Sequence, residues 1–205
     1  MKNVGTFLVF TCILVVVPAY AQKDITLFGS AQHEGKLNVE TATATATSPR
    51  SFNPATFGTF GVRFGHANVF GGEHTIAYSP NFIEANTKAI FWTSNVLVQA
   101  PVPKAKPYFT AGLGTIFTFG TDDSGRPSFG KIGSKFALNY GGGLKVYPSG
   151  PVGFRFDIRG HLIPNVRFNV AIPTTTDPLA TVKSESQTLN MLEAGFGIIF
   201  QFGGR

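Results

Sequence analysis

Arg155, Asp157, Arg159 and His161 stand at alternate positions in one short stretch. A strand sends successive side chains to opposite faces, so this spacing places all four on one face. Lys145 lies in the alternating stretch before it and Glu193 in the one after, while Arg63 and Glu73 hold similar positions earlier in the chain. If strands close around such a row, two chemistries suit it. One is a polar path or gate through a lumen, and the other is a set of ion pairs that plugs it.

Reactive side chains are otherwise sparse. His33, His66, His74 and His161 are scattered, none is followed two residues later by Ser, and no H-E-x-x-H, G-x-S-x-G or P-loop occurs. His66 and His74 bracket a short turn and read as solvated histidines rather than a metal pair. Gly141-Gly142-Gly143 and the Gly112/Gly114 pair read as close-packing positions, since no helix follows to make a phosphate cradle. The chain is therefore expected to be no enzyme and to carry neither metal nor cofactor.

The elements that hold these residues alternate with period two. Val152, Phe154, Phe156 and Ile158 oppose Gly153, Arg155, Asp157 and Arg159; Leu192, Ala194, Phe196, Ile198, Phe200 and Phe202 oppose Glu193, Gly195, Gly197 and Gln201. Phe136, Leu138, Tyr140, Leu144 and Val146 likewise oppose Ala137, Asn139, Gly141, Gly143, Lys145 and Tyr147. Cut at Gly, Pro and Asn clusters, the chain gives eight such stretches, starting near Asp24, Ala55, Glu73, Thr87, Pro107, Phe136, Val152 and Thr188. Connections 37–54, 121–135 and 164–187 are long, whereas 65–72, 101–106 and 148–151 are short; 81–86 is short on the long side. An even number of strands with short turns at one end and long loops at the other predicts an all-β, eight-stranded antiparallel up-and-down barrel. The alternating Thr and Ala of 41–47, with 166–172 and 180–184, could extend strands beyond the long-loop rim.

The face opposite the apolar stripe decides which way such a barrel is turned. In a soluble barrel it would meet water and be dense in Lys and Glu. Here it holds Gly, Thr, Asn and Gln with scattered charges of both signs, and only 14% of all residues are charged. Those residues fit a narrow lumen, with Phe, Leu, Ile and Val left to meet lipid. An eight-stranded barrel is just wide enough to be filled by its own side chains, and buried charges persist only when paired. The lumen is thus expected to be plugged by Arg63, Glu73, Lys145, Arg155, Asp157, Arg159, His161 and Glu193, with Arg155 or Arg159 reaching Asp157 or Glu193. A small channel or transporter for hydrophobic or small polar solutes is the alternative. Tyr78, Trp92, Tyr108, Phe119, Phe136, Tyr147 and Phe202 are expected to form interfacial girdles.

Lys2, an apolar stretch from Val4 to Val17, Pro18 and Ala19-Tyr20-Ala21 read as a signal peptide over 1–21, with the barrel over 22–205. Cys12, the one cysteine, falls inside it, so no disulfide is expected. The net charge of +6 includes Lys2. On the long-loop side Arg50, Arg126, Lys131, Lys135, Arg167 and Lys183 form a basic rim suited to lipopolysaccharide phosphates. No basic cluster interleaved with aromatics suggests nucleic acid.

Three segments carry a family resemblance: Pro107-Tyr108-Phe109-Thr110-Ala111-Gly112-Leu113-Gly114, Asn139-Tyr140-Gly141-Gly142-Gly143-Leu144-Lys145 and Gly153-Phe154-Arg155-Phe156-Asp157-Ile158-Arg159. They resemble the small outer-membrane β-barrel family typified by the OmpA N-terminal domain. An exported, cysteine-free barrel of this size is itself expected in a Gram-negative outer membrane, as a monomer among outer-membrane lipids and lipopolysaccharide with a structural or surface-interaction role in the envelope. The resemblance implies insertion by the barrel-assembly machinery, which in that family reads an aromatic residue ending the last strand. Phe202 matches that position, although Gly203-Gly204-Arg205 follow it.

Overall fold

The computed structural model describes residues 22–35, 37–43, 46–52, 56–82, 87–120, 133–168 and 185–203. The segment 1–21, expected to be a signal peptide, lies outside them. Among the described residues ten strands occur in the order β1 (Lys23–Glu34), β2 (Leu37–Thr43), β3 (Ala46–Phe52), β4 (Thr56–Ala67), β5 (Phe70–Ser79), β6 (Thr87–Gln99), β7 (Ala105–Gly120), β8 (Ser134–Ser149), β9 (Val152–Phe168) and β10 (Glu185–Phe202). Eight close into one antiparallel barrel in which every strand pairs with its neighbours along the chain, while β2 and β3 form a separate hairpin between β1 and β4. Closure is made by β1 on β10, with Lys23 opposite Phe202 and Glu34 opposite Met191.

The barrel-strand starts fall close to those expected from the alternation. One expectation changes: the long segment 37–54 carries two strands paired with each other, β2 and β3, which do not lengthen β1 and β4. The last two strands do extend beyond the rim, as expected for 166–172, with β9 reaching Phe168 and β10 starting at Glu185; 180–184 lies outside the described residues. Close to that outer end β9 carries a bulge, with Asn165 at φ 58 and a register shift on β10 between Gln187 and Leu189. A bulge adds a residue to one strand and bends it. At the other end the turns are tight. Gly150 at φ 72 followed by Pro151 joins β8 to β9, matching hairpins that put Gly at the first central position.

Outward positions are almost wholly apolar or small. Phe60, Ile76, Val96, Phe109, Leu113, Phe154, Phe156, Leu192 and Phe196 are exposed, and Ile158, mid-strand on β9, is 65% exposed. Among the residues whose side chains are described, the only charged ones on the outward face of the eight barrel strands are Lys23 at the short-turn end and Lys88 at the long-loop end. So large an apolar surface is untenable in water and is what hydrocarbon requires. Full closure leaves no unpaired strand edge inside it.

Candidate functional site: the barrel lumen

Inward positions build the site. β9 presents Arg155, Asp157, Arg159 and His161, β4 presents Arg63, β5 Glu73, β8 Lys145 and β10 Glu193, and all eight are buried. The structure thus brings together every residue expected in the lumen. Glu73 bridges two guanidiniums, with Arg155 Nη1 and Arg159 Nη2 each 2.6 Å from its carboxylate oxygens. Asp157 takes Arg63 Nη1 at 2.5 Å, Arg155 Nη2 at 3.2 Å and Arg159 Nη2 at 3.1 Å. Glu193 accepts from Arg63 Nη2 at 2.6 Å and from Gln32 Nε2 at 3.1 Å, and meets His161 Nε2 at 2.9 Å. Three guanidiniums therefore face three carboxylates. Nearer the short-turn end, Lys145 Nζ lies 2.6 Å from Asp24 and donates to Gln99 at 3.3 Å, a second balanced pair.

Arg155 and Arg159 both reach Asp157, as the alternation suggested, whereas Glu193 belongs to Arg63 and His161. Several members were not singled out from sequence. Asp24, Gln32, Gln99 and Tyr108 all bond into the network, and Asn95 and Asn139 meet amide to amide beside Arg159. Tyr108 donates its hydroxyl to Asp157 and accepts from Arg155 Nε at 3.0 Å. The signal for it was parity, since it shares its face with Thr110, Gly112 and Gly114. Arg63 also places its Cζ over the Phe28 ring, 3.6 Å from the centroid.

Small residues make the network possible. A Cβ on Gly143 would sit 1.9 Å from the Phe156 carbonyl oxygen and 2.6 Å from the Tyr108 hydroxyl, so the bare backbone of β8 leaves room for Tyr108 and the guanidiniums. The reading of this glycine run as close packing therefore has a specific steric basis.

Two expectations about apolar residues are corrected. Tyr108 and Tyr147 point inward and are buried, so they belong to no girdle. Trp92 faces outward but sits mid-strand on β6, opposite Ile76 and Thr115, whereas Phe119, Phe136 and Phe202 occupy outward positions near strand ends. Moreover, bulky apolar residues do not all meet lipid. Phe57, Phe91, Ile116, Ile163, Val166, Leu189 and Met191 fill the lumen at the long-loop end. Phe82, from the segment between β5 and β6, turns into this cluster and is 0% exposed, edge-on to Phe57 and Phe91 at 5.2 and 5.7 Å between centroids. The lumen thus has an apolar cap above an ion-paired core. His161, 6.0 Å from Phe91 between ring centroids, sits at their boundary.

Of the six residues expected to form a basic rim, only Lys135 has a described side chain. Arg126, Lys131 and Lys183 lie outside the described residues, while Arg50 and Arg167 fall on β3 and β9, whose backbone alone is described there. Lys135 is half-buried near the start of β8. At the same end His33 Nδ1 lies 2.8 Å from Thr56 Oγ1 on the outer surface, a hydroxyl–imidazole pair the scattered histidines did not suggest. Among the described residues no carboxylate orients that ring, and none form a metal-ligand cluster.

No family model and no curated protein matches the sequence. Solved structures do. Neisserial surface protein A superposes with a TM-score of 0.56 at 12% identity, over 87% of this chain and 97% of that one. The outer membrane protein AlkL, solved in lipid bilayers, superposes at 0.55 and 12% identity, over 91% and 92%. At such identities the likeness concerns the fold. The chain has the fold of the small eight-stranded barrels of the bacterial outer membrane, and its apolar exterior suits a bilayer.

Proposed function

We propose that this protein is a closed, non-enzymatic outer-membrane barrel whose role in the envelope is structural or one of surface interaction. The observation that carries this reading is the filled lumen. Side chains lining a water-filled channel would be open to water-sized contact, yet Arg63, Glu73, Arg155 and Arg159 are at most 2% exposed, and the apolar cap lies over them. Interaction then falls to the exterior. The surrounding lipid meets the apolar belt, and the basic rim of Arg50, Arg126, Lys131, Lys135, Arg167 and Lys183 is suited by charge to lipopolysaccharide phosphates. Phe202 is the aromatic residue that would address the barrel-assembly machinery.

The non-enzymatic reading has its own support. The His161–Glu193 pair is buried and has no route to substrate, and His33 with Thr56 lacks an orienting acid among the described residues. Purified protein in planar bilayers tests the proposal. No conductance steps are expected, and stable ohmic steps would establish the channel alternative instead.

A further inference from the structure

The outward face near the short turns holds a polar group that the closed lumen does not use. The register aligns Phe202, Lys23, His66 and Gly72 in one row across β10, β1, β4 and β5, and Phe200, Ile25, Phe64, His74 and Ser94 in the next row out, across β10, β1, β4, β5 and β6. Lys23, Ile25, Phe64, His66, His74 and Phe202 line a hollow of about 460 Å³. Gly72 admits the His66 ring, because a Cβ there would stand 2.8 Å from its Cε1 and 3.3 Å from its Nε2. That imidazole makes no hydrogen bond among the described residues. His74 is anchored through Nδ1 to the Ser94 hydroxyl at 2.9 Å. When Ser94 donates, the proton of His74 sits on Nε2, free to be offered outward.

These groups lie where lipid must lie. An ammonium and two imidazoles facing a bilayer are costly unless an anion meets them. The acid that lines the hollow, Asp24, belongs to the lumen face of β1: it is buried, its Oδ2 lies 2.6 Å from Lys145 Nζ, and its Oδ1 accepts no hydrogen bond among the described residues. On its lipid side the site therefore offers hydrogen-bond donors and positive charge, and the carboxylate behind them is already ion-paired. Short turns mark the periplasmic end of such barrels, so the lipid at this height belongs to the phospholipid leaflet. We propose that Lys23, His66 and His74 bind the phosphate of an anionic phospholipid, whose acyl chain runs along Ile25, Phe64 and Phe202. This holds whether or not the lumen conducts.

Protein reconstituted in nanodiscs of phosphatidylethanolamine with phosphatidylglycerol, released and weighed by native mass spectrometry, tests it. The wild type should retain phosphatidylglycerol in preference to phosphatidylethanolamine. Lys23→Gln should lower that retention about fivefold, as expected for one cation at a lipid surface, while Lys23→Arg keeps it. Gly72→Ala, which displaces the His66 ring without removing a charge, should also lower it. Folding of each variant is checked by its heat-dependent gel shift. Equal retention of the two lipids by the wild type overturns the proposal without reliance on any variant. So does phosphatidylglycerol retention in folded Lys23→Gln equal to that of the wild type.

Discussion

Glu73→Gln is the substitution to which the lumen should be most sensitive. Glu73 is fully buried and holds two guanidiniums, each at 2.6 Å. Glutamine keeps the shape but removes the charge, leaving Arg63, Arg155 and Arg159 to share Asp157 and Glu193. Breaking a buried pair in this way leaves an uncompensated charge and costs about 3–5 kcal/mol. Urea unfolding of the detergent-folded barrel should show that loss as a lower midpoint at unchanged slope. Adding Arg159→Gln to Glu73→Gln restores the balance at two guanidiniums and two carboxylates. The double variant should therefore be less destabilised than the sum of the singles, with a coupling of about 1–3 kcal/mol. A Glu73→Gln barrel within about 0.5 kcal/mol of wild type, the range of ordinary surface changes, would refute the reasoning. Purely additive singles would do the same.

Two other substitutions separate the cap from the wall. Phe82→Ala should cost about 3–5 kcal/mol in the same unfolding assay, because it empties a buried aromatic position between Phe57 and Phe91; planar-bilayer recordings of this variant should still show no conductance, since the ion-paired core remains beneath it. Ile158→Arg, on the outward face of β9, should destabilise the barrel folded into vesicles by about 2–4 kcal/mol, whereas a face that met water would tolerate arginine.

Much of this architecture was legible because lipid and lumen impose opposite demands on alternate residues. Arg155, Asp157 and Arg159 stood out against Phe154, Phe156 and Ile158, and parity alone set them inside. Near the outer rim the contrast disappears, since Leu189 and Met191 face inward while Leu192 faces out, so alternation could not reveal the apolar cap. Phe82 comes from a connection, to which no strand parity applies. The particular pairings were hidden for a different reason. Glu73 and Arg159 lie 86 residues apart in the chain, and their meeting depends on the stagger of the closed barrel. Tyr108 and Tyr147 show the cost of reading aromatics by type: both lie near strand ends, but each shares its parity with lumen residues.

The central claim is that the lumen is closed, and cysteine accessibility reads it directly. Cys12 is the only cysteine in the chain and falls in the segment 1–21, so a barrel prepared from residue 22 onward with Thr75→Cys or Thr93→Cys carries a single thiol. Thr75 and Thr93 are register partners on β5 and β6, both buried and facing inward. A charged methanethiosulfonate reagent should leave either thiol unmodified in the folded barrel and react rapidly once urea unfolds it. Rapid modification of the folded protein would show a water-filled lumen and contradict the account.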